Sequence, residues 1–405
     1  MSFQQGLSGL FAAAQNLDVI GNNVANANTV GFKGGAAMFA DVYANALAGG
    51  GQSSPGIGVA VTGIQQNFSQ GNVSTTSNPL DVAINGGGFF RMDTNGTISY
   101  TRNGQFHLDK NGFIVNTTGS KVTGYGVDAA GNILISNAGP LQVSLAQLQA
   151  TATSKSNIGL NLDAREAIIT TAFDINNPAT YNKATSMSVY DSLGNPHAFT
   201  TYYQKTAANT WDVYGALDGT AFTAKIGQLQ FNTDGSLKVG VPPLPFNISV
   251  ALTNGATTPF NFTLDYPGTT QFGSQFGVNT LEQDGFSSGQ LSGFSVGSDG
   301  MVQGRYTNGQ SRTLGQFLLV NFANATGLQS IGNNAWSETA SSGQPVPGSP
   351  GSGSLGVLQS GAVEESNVDL TAELVDMITA QRVYQANAQT IKTQDQVLNT
   401  LVNLR

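Results

Sequence analysis

The chain has no cysteine among its 405 residues. Disulfides, thiolate metal sites and cysteine nucleophiles are excluded together, and such a chain can cross an envelope unfolded without crosslinking. Charge is also scarce: Asp, Glu, Lys and Arg make up 10% of the residues, against about 25% in ordinary soluble domains. The net charge of −8 argues against nucleic acid and an anionic membrane surface as partners, since both need a basic face. Where many copies pack together, sparse charge limits repulsion between them. No run of 18 apolar residues is present, and no membrane span is expected. The first basic residue is Lys33 and no uninterrupted apolar core precedes it, so no cleaved signal peptide is expected. If the chain works outside the cell, another route carries it there.

Glycine, in contrast, is abundant at 51 residues, and Asn, Gln, Ser and Thr are plentiful, as in secreted or surface β-rich proteins. The length has room for two or three domains. Helical periodicity is confined to the ends. From Asp369 to Arg405 there is no Gly or Pro, and Leu370, Leu374, Met377, Gln381, Tyr384, Ala388, Ile391, Asp395, Leu398 and Val402 fall on one narrow seam with 4-3 spacing. That is the pattern of a coiled-coil face. Asp369 is the expected N-cap, with Glu373 and Asp376 at the positive end of the helix dipole and Arg405 at the negative end. Phe3, Leu7, Leu10, Ala14, Leu17, Gly21 and Val24 repeat the spacing at the start of the chain. Gly6, Gly9 and Gly21 each weaken that first helix by about 1 kcal/mol relative to Ala, so it needs a partner, and Gly6 and Gly9 allow another backbone close. The matched seams can close within one molecule or between copies; the spacing fits both.

Between the ends the period falls to two. An Asn-rich exit, Gly21 to Lys33, is followed to about Gly71 by a Gly/Ser-rich extended connector. Leu80, Val82 and Ile84 alternate, and turn signals then recur at Asn95-Gly96, Asn103-Gly104, Asn111-Gly112 and Gly119. The runs between them, Ile98–Arg102, Gln105–Leu108, Phe113–Val115 and Val122–Tyr125, read as a meander of hairpins. A second β region spans Thr153 to Glu282, with strands expected at Met187–Tyr190, Phe199–Gln204, Trp211–Leu217 and Leu229–Phe231. A third, Phe294 to Phe322, contains one strong strand at Gln316–Val320, and Ser341 to Gly356 reads as a loop.

Motifs of chemistry are weak. Gly351 to Gly356 matches a dinucleotide pattern but follows no βαβ unit. Gly293-Phe294-Ser295-Val296-Gly297 matches a nucleophile elbow, yet both histidines, His107 and His197, precede it, so the required order of triad partners fails. Asp93-x-Asn95-Gly96 and Asp109-x-Asn111-Gly112 lack the remaining ligands of a calcium loop and read as hairpin turns. No carboxylate pair is singled out for glycoside hydrolysis. No catalytic residue, metal site or cofactor is expected.

Resemblance, however, is specific at the ends. Leu17-Asp18-Val19-Ile20-Gly21-Asn22-Asn23-Val24-Ala25-Asn26 with Thr29, Gly31, Phe32 and Lys33 resembles the N-terminal signature of the bacterial flagellar axial proteins of rod, hook and hook-associated segments. Ser366-Asn367-Val368-Asp369-Leu370, Glu373-Leu374-Val375, Gln381-Arg382, Tyr384-Gln385-Ala386-Asn387 and the close Leu398 to Arg405 resemble their C-terminal signature. Tyr100-Thr101-Arg102-Asn103-Gly104-Gln105-Phe106 is similar to their shared body, and Val189 to His197 and Leu314 to Asn324 resemble the hook branch.

The resemblance implies a mainly β protein of nested β domains, its N- and C-terminal α-helices pairing as a coiled-coil-like inner layer. It divides the chain into a terminal helical assembly domain (1–30 and 366–405), an extended connector (31–71 and 357–365), a discontinuous β domain (72–152 and 283–356) and an inserted outer β domain (153–282). It implies a subunit exported through the flagellar type III apparatus that polymerises with itself into a curved tube, a universal joint passing torque from rod to filament. Implied partners are the hook cap protein, the distal rod protein and the hook–filament junction protein. Phe3, Leu7, Leu10, Leu17, Val24, Leu370, Leu374, Met377, Tyr384, Ile391, Leu398 and Val402 are the expected assembly interface. A distal rod subunit is the nearest rival, although the insert at 153–282 argues against it. A surface adhesin leaves the matched seams unexplained, and a secreted glycosidase has least support.

Overall fold

A computed structural model describes residues 2–42, 56–128, 131–238, 240 and 244–402; Arg405, expected at the end of the last helix, lies outside them. The chain forms two compact units: residues 1–145, 293–304 and 311–405, and residues 146–292 with 305–310.

The first unit holds both long helices, α1 (Ser2–Ala25) and α2 (Leu370–Val402). The Asp369 carboxylate accepts hydrogen bonds from the Thr371 and Ala372 amides at 2.9 and 3.2 Å, which satisfies amides that have no partner inside the helix and fixes where α2 begins. At about 1.5 Å per residue, its 33 residues extend about 50 Å. α1 ends in the Asn-rich stretch, where Asn26 donates from both backbone and side chain to the Asn22 carbonyl. The expected connector then forms an antiparallel ribbon, β1 (Gly35–Val42) with β2 (Gly58–Gln66).

In the β body of this unit the strands at 311–317, 121–127, 89–94, 97–101, 335–337 and 329–332 lie side by side in that order. The hairpin at 89–101 closes on Asn95-Gly96, both with positive φ, the geometry of a two-residue primed turn. Gly112 and Gly119 end turns that join the next short strands. Three sequence expectations are corrected here. Asn103-Gly104 closes no hairpin; the Gly104 carbonyl instead accepts from the Val82 amide. The strand expected over Gln316–Val320 breaks at Leu318, where its first part (311–317) pairs with 121–127 and its second (319–321) with 89–94 and 346–348. The expected loop from 341 to 356 therefore contains a short strand. Phe89, Tyr100, Val320, Phe322 and Trp336 form a core against Phe68.

The second unit has two sheets. Strands 183–190, 196–207 and 210–217 form a meander, with 227–230 added to 210–217. Strands 246–250, 260–265, 155–161 and 277–283 form the other sheet, in which 155–161 and 260–265 run parallel. Alternate residues from both sheets, among them Val189, Phe199, Trp211, Val213, Ile158, Leu160, Phe262 and Leu264, fill one core. The Trp211 indole donates to the Gln271 side-chain oxygen at 2.9 Å, so its buried N–H is satisfied. Among the described residues, no helix is long and apolar enough to cross a membrane.

Candidate assembly site at the terminal helices

α1 and α2 pack antiparallel, with glycines of α1 set against Ile391 and Asn387 of α2. A Cβ on Gly6 would lie 3.1 Å from Ile391 Cγ1, and one on Gly9 would lie 2.8 Å from Asn387 Oδ1. A Cβ at either position would push these side chains aside, so the two glycines let α2 sit close on this face of α1. Farther along, Asn23 Nδ2 donates to Glu373 Oε1 at 2.9 Å. Ala12, Ala13, Val19 and Ile20 of α1 and Ala380 of α2 are buried. The ribbon also packs on α1: Gln5 Nε2 donates to the Gly56 carbonyl, and Ser8 Oγ accepts from the Val59 amide.

Most of the apolar seam read from the sequence is not consumed by this packing. Phe3, Leu7, Leu370, Leu374, Tyr384 and Leu398 are exposed, between 37% and 55%. Leu10, Leu17, Val24, Met377 and Ile391 are half-buried, and of these Ile391 is brought against Gly6. The side chain of Val402 lies outside the described ones. Phe11, Val375, Ile378 and Val397, which the 4-3 spacing passes over, are exposed as well, at 51% or more. One chain thus buries the glycine and asparagine face of its helix pair and leaves phenylalanine and leucine facing outward. That is the reverse of a self-contained coiled coil, whose apolar seam closes inward.

The pair is rooted in the β body by a buried cluster of charges. Glu364, at the end of the strand before α2, receives Lys33 Nζ at 2.5 Å on one oxygen and Arg102 Nη1 at 3.1 Å on the other. All three side chains are 4% exposed or less. The Gly71 amide donates to the same carboxylate, and the Gly31 amide donates to the Glu364 carbonyl. Arg102 Nη2 reaches the Gly86 carbonyl, and its guanidinium lies over the Phe89 ring. Burial pulls the Lys33 ammonium below its usual range, outweighing the attraction of Glu364, and it pulls Arg102 down in the same way. Beside this cluster Asn367 accepts from the Gly34 amide and donates to the Asn67 and Ser69 carbonyls. One carboxylate and one amide therefore tie the exit of α1, the end of the ribbon and the entrance of α2 to the body. The motif letters Lys33, Arg102 and Asn367 carried no individual role in the sequence, and Glu364 was not singled out. The signal available was scarcity, since each basic residue is conspicuous in a chain with so few.

The second unit contains a smaller charged cluster. His197 lies between Asp218 (2.6 Å) and Asp191 (3.2 Å). Burial alone would lower its pKa, but the hydrogen bonds and charges of Asp218 and Asp191 raise it above 6.5. Asp191 is held well below the usual carboxylate range by Asn195, Asn254 and His197, against the effect of burial.

This architecture has known counterparts along the whole chain. The family described as flagella basal body rod protein matches residues 3–33, and the flagellar hook protein FlgE/F/G D1 domain matches 83–189. The flagellar basal body protein FlaE D2 domain matches 161–286, and the flagellar basal body rod FlgEFG protein C-terminal family matches 359–404. The flagellar hook protein FlgE of Escherichia coli K12 is 44% identical over 414 residues, covering 100% of both chains. That of Salmonella typhimurium LT2 is 44% identical over 416 residues, again with 100% coverage of both. The flagellar hook protein FlgE of Borreliella burgdorferi is 32% identical over 446 residues, covering 100% of this chain and 99% of that one. The crystal structure of Helicobacter pylori flagellar hook protein FlgE2 shares the fold with a TM-score of 0.55 at 13% identity, covering 72% of this chain and 100% of that chain. With paired terminal helices, a mainly β body and full-length identity of this order, the chain belongs to the bacterial flagellar hook protein family and is a structural subunit of the hook.

Proposed function

We propose that the chain polymerises through its terminal helices into the curved tube of the hook and serves there as a universal joint that passes torque from rod to filament. The observation that carries this reading is the outward apolar stripe on α1 and α2. Phe3, Leu7 and Phe11 on one helix and Leu374, Val375, Ile378 and Leu398 on the other are exposed in a single chain, although burying each would return roughly 1.5–3 kcal/mol. In an open helical polymer every copy uses head-to-tail contacts that do not close, and such a stripe is available to neighbours all along the tube. The twelve seam residues from Phe3 to Val402 are the proposed interface.

Under this reading residues 1–30 and 366–405 form the assembly layer, 31–71 and 357–365 the connector, 72–152 and 283–356 an inner β domain, and 153–282 an outer one. The subunit leaves the cell through the type III export apparatus and adds beneath a hook cap protein. It meets the distal rod protein at one end of the tube and the hook–filament junction protein at the other. Its role is structural rather than catalytic. Sedimentation and negative-stain microscopy of the purified chain test the reading: curved tubes are expected from the wild type and none from Leu374→Asp. Tubes of normal form from Leu374→Asp would remove the stripe from the interface.

A further inference from the structure

α2 runs on past the start of α1. The residues that meet, Gly6 with Ile391, Gly9 with Asn387 and Asn23 with Glu373, set a register in which Ser2 comes level with about residue 394. The last two turns of α2, about 12 Å at 1.5 Å per residue, therefore extend beyond α1. Leu398 continues the stripe that Asn387 and Ile391 present to α1, about two helical turns beyond Ile391, and it is 55% exposed beside Val397 at 51%. Lys392 stands at the base of this overhang and makes no ion pair among the described residues. Asp395, the other charge there, accepts a hydrogen bond from Asn399.

Toward the root of the same helix pair lies a groove of about 650 Å³ between α1, α2 and the ribbon. Small residues, Gly9, Ala12, Ala13 and Gly35 among them, line it, and Glu373 and Asp376 stand along it. It follows α2 from Glu373 to Asn387, about 21 Å of helix. It is therefore longer than the overhang and of opposite charge to Lys392.

Resting on the polymer reading above, we infer that the overhanging end of α2 from one copy seats in this groove of the next copy, with Leu398 over the small-residue floor and Lys392 beside Glu373 and Asp376. The occupant is a second copy of this chain. An overhang at one end and a groove at the other make a contact that cannot close on itself, which an open polymer needs. Small residues leave room for a helix, Val19, Ile20, Phe39 and Val383 give it apolar contact, and the acidic rim fixes the direction of entry.

The cysteine-free sequence gives a direct test. Thr379→Cys places a thiol on an exposed residue lining the groove, Leu398→Cys places one on the overhang, and Thr97→Cys, on an exposed strand end of the body, is the control. Each variant is made separately, two are mixed before polymerisation, and the sedimented polymer is oxidised. A disulfide forms only where Cα atoms approach within about 7 Å. The Thr379→Cys and Leu398→Cys mixture is expected to give crosslinked dimers at least tenfold above the mixture of Leu398→Cys with Thr97→Cys, with the bond located by peptide mass. Normal polymer with no excess of that dimer overturns the groove contact and leaves the polymer reading standing; failure of the unmodified chain to polymerise overturns the reading itself. Should the thiols themselves block assembly, charge reversal decides. Asp376→Lys and Lys392→Glu should each lower polymer yield about tenfold and together restore it, and absence of that rescue overturns the inference.

Discussion

Glu364→Gln isolates the root of the helix pair. The substitution keeps the volume and one acceptor oxygen, but it leaves the buried Lys33 and Arg102 side chains without their anion and turns an amide toward Arg102, already a donor. Removing one partner of a buried pair costs roughly 3–5 kcal/mol, because the remaining charge stays desolvated. For a body the size of the first unit, each kcal/mol moves the midpoint about 2–4 °C, so a fall of roughly 6–20 °C is expected. Trp336 reports the first unit and Trp211 the second, so Trp211→Phe and Trp336→Phe backgrounds let fluorescence follow each unit alone. The first unit should lose stability and the second should not. Lys33→Met combined with Glu364→Gln removes one stranded cation and should recover more than half of the loss, a coupling that a double-mutant cycle measures. A shift below about 1 °C, or an equal fall in both units, would refute the assignment of the triad as the root.

Leu7→Asp and Leu10→Asp should abolish sedimentable polymer while both tryptophan signals stay native; loss of either signal would mean that the substitution acts through folding. Gly9→Leu should separate the helices, because even a Cβ there meets Asn387 at 2.8 Å, and the helical circular dichroism signal should fall with the β signal unchanged. His197 has its pKa raised above 6.5 in the folded chain. Its contribution to the second unit is thus full below about pH 6.5 and disappears as pH rises through the raised value. Unfolding followed at Trp211 between pH 5.5 and 8.5 should show this fall, and His197→Gln should flatten it. Trp211→Ala, which empties the centre of the second core, should cost about 3–5 kcal/mol, read by chemical denaturation.

Much of the fold is legible in the sequence because its signals are local. Both helices follow from periodicity and from Asp369, and the hairpins at Asn95-Gly96, Asn111-Gly112 and Gly119 follow from turn chemistry. Alternation at Phe246-Asn247-Ile248-Ser249-Val250 and Phe260-Asn261-Phe262-Thr263-Leu264 was equally readable, and it marks two strands that the sequence reading passed over. β1 gave less warning: Gly35-Ala36-Ala37 has neither branching nor bulk to indicate a strand. The seam was legible as a seam but not as to which side of each helix α1 and α2 present to each other. Gly6 and Gly9 do mark on α1 the place where another backbone comes close, and Ile391 and Asn387 meet them there; the hydrogen bond from Asn23 to Glu373 has no such signal, because hydrophobic periodicity is blind to it. The root was hidden for another reason. Glu364 pairs with residues 331 and 262 positions away, and no local pattern encodes such a pairing.

The terminal helices are the proposed assembly layer. The most direct measurement is trypsin cleavage at Arg382 and Lys392, the basic residues along α2, in dilute chain and in sedimented polymer, followed by mass spectrometry. Both side chains are exposed in the single chain, so rapid cutting in dilute solution and at least tenfold slower cutting in the polymer are expected. Equal cleavage in the two states would place α2 outside the interface and contradict the account.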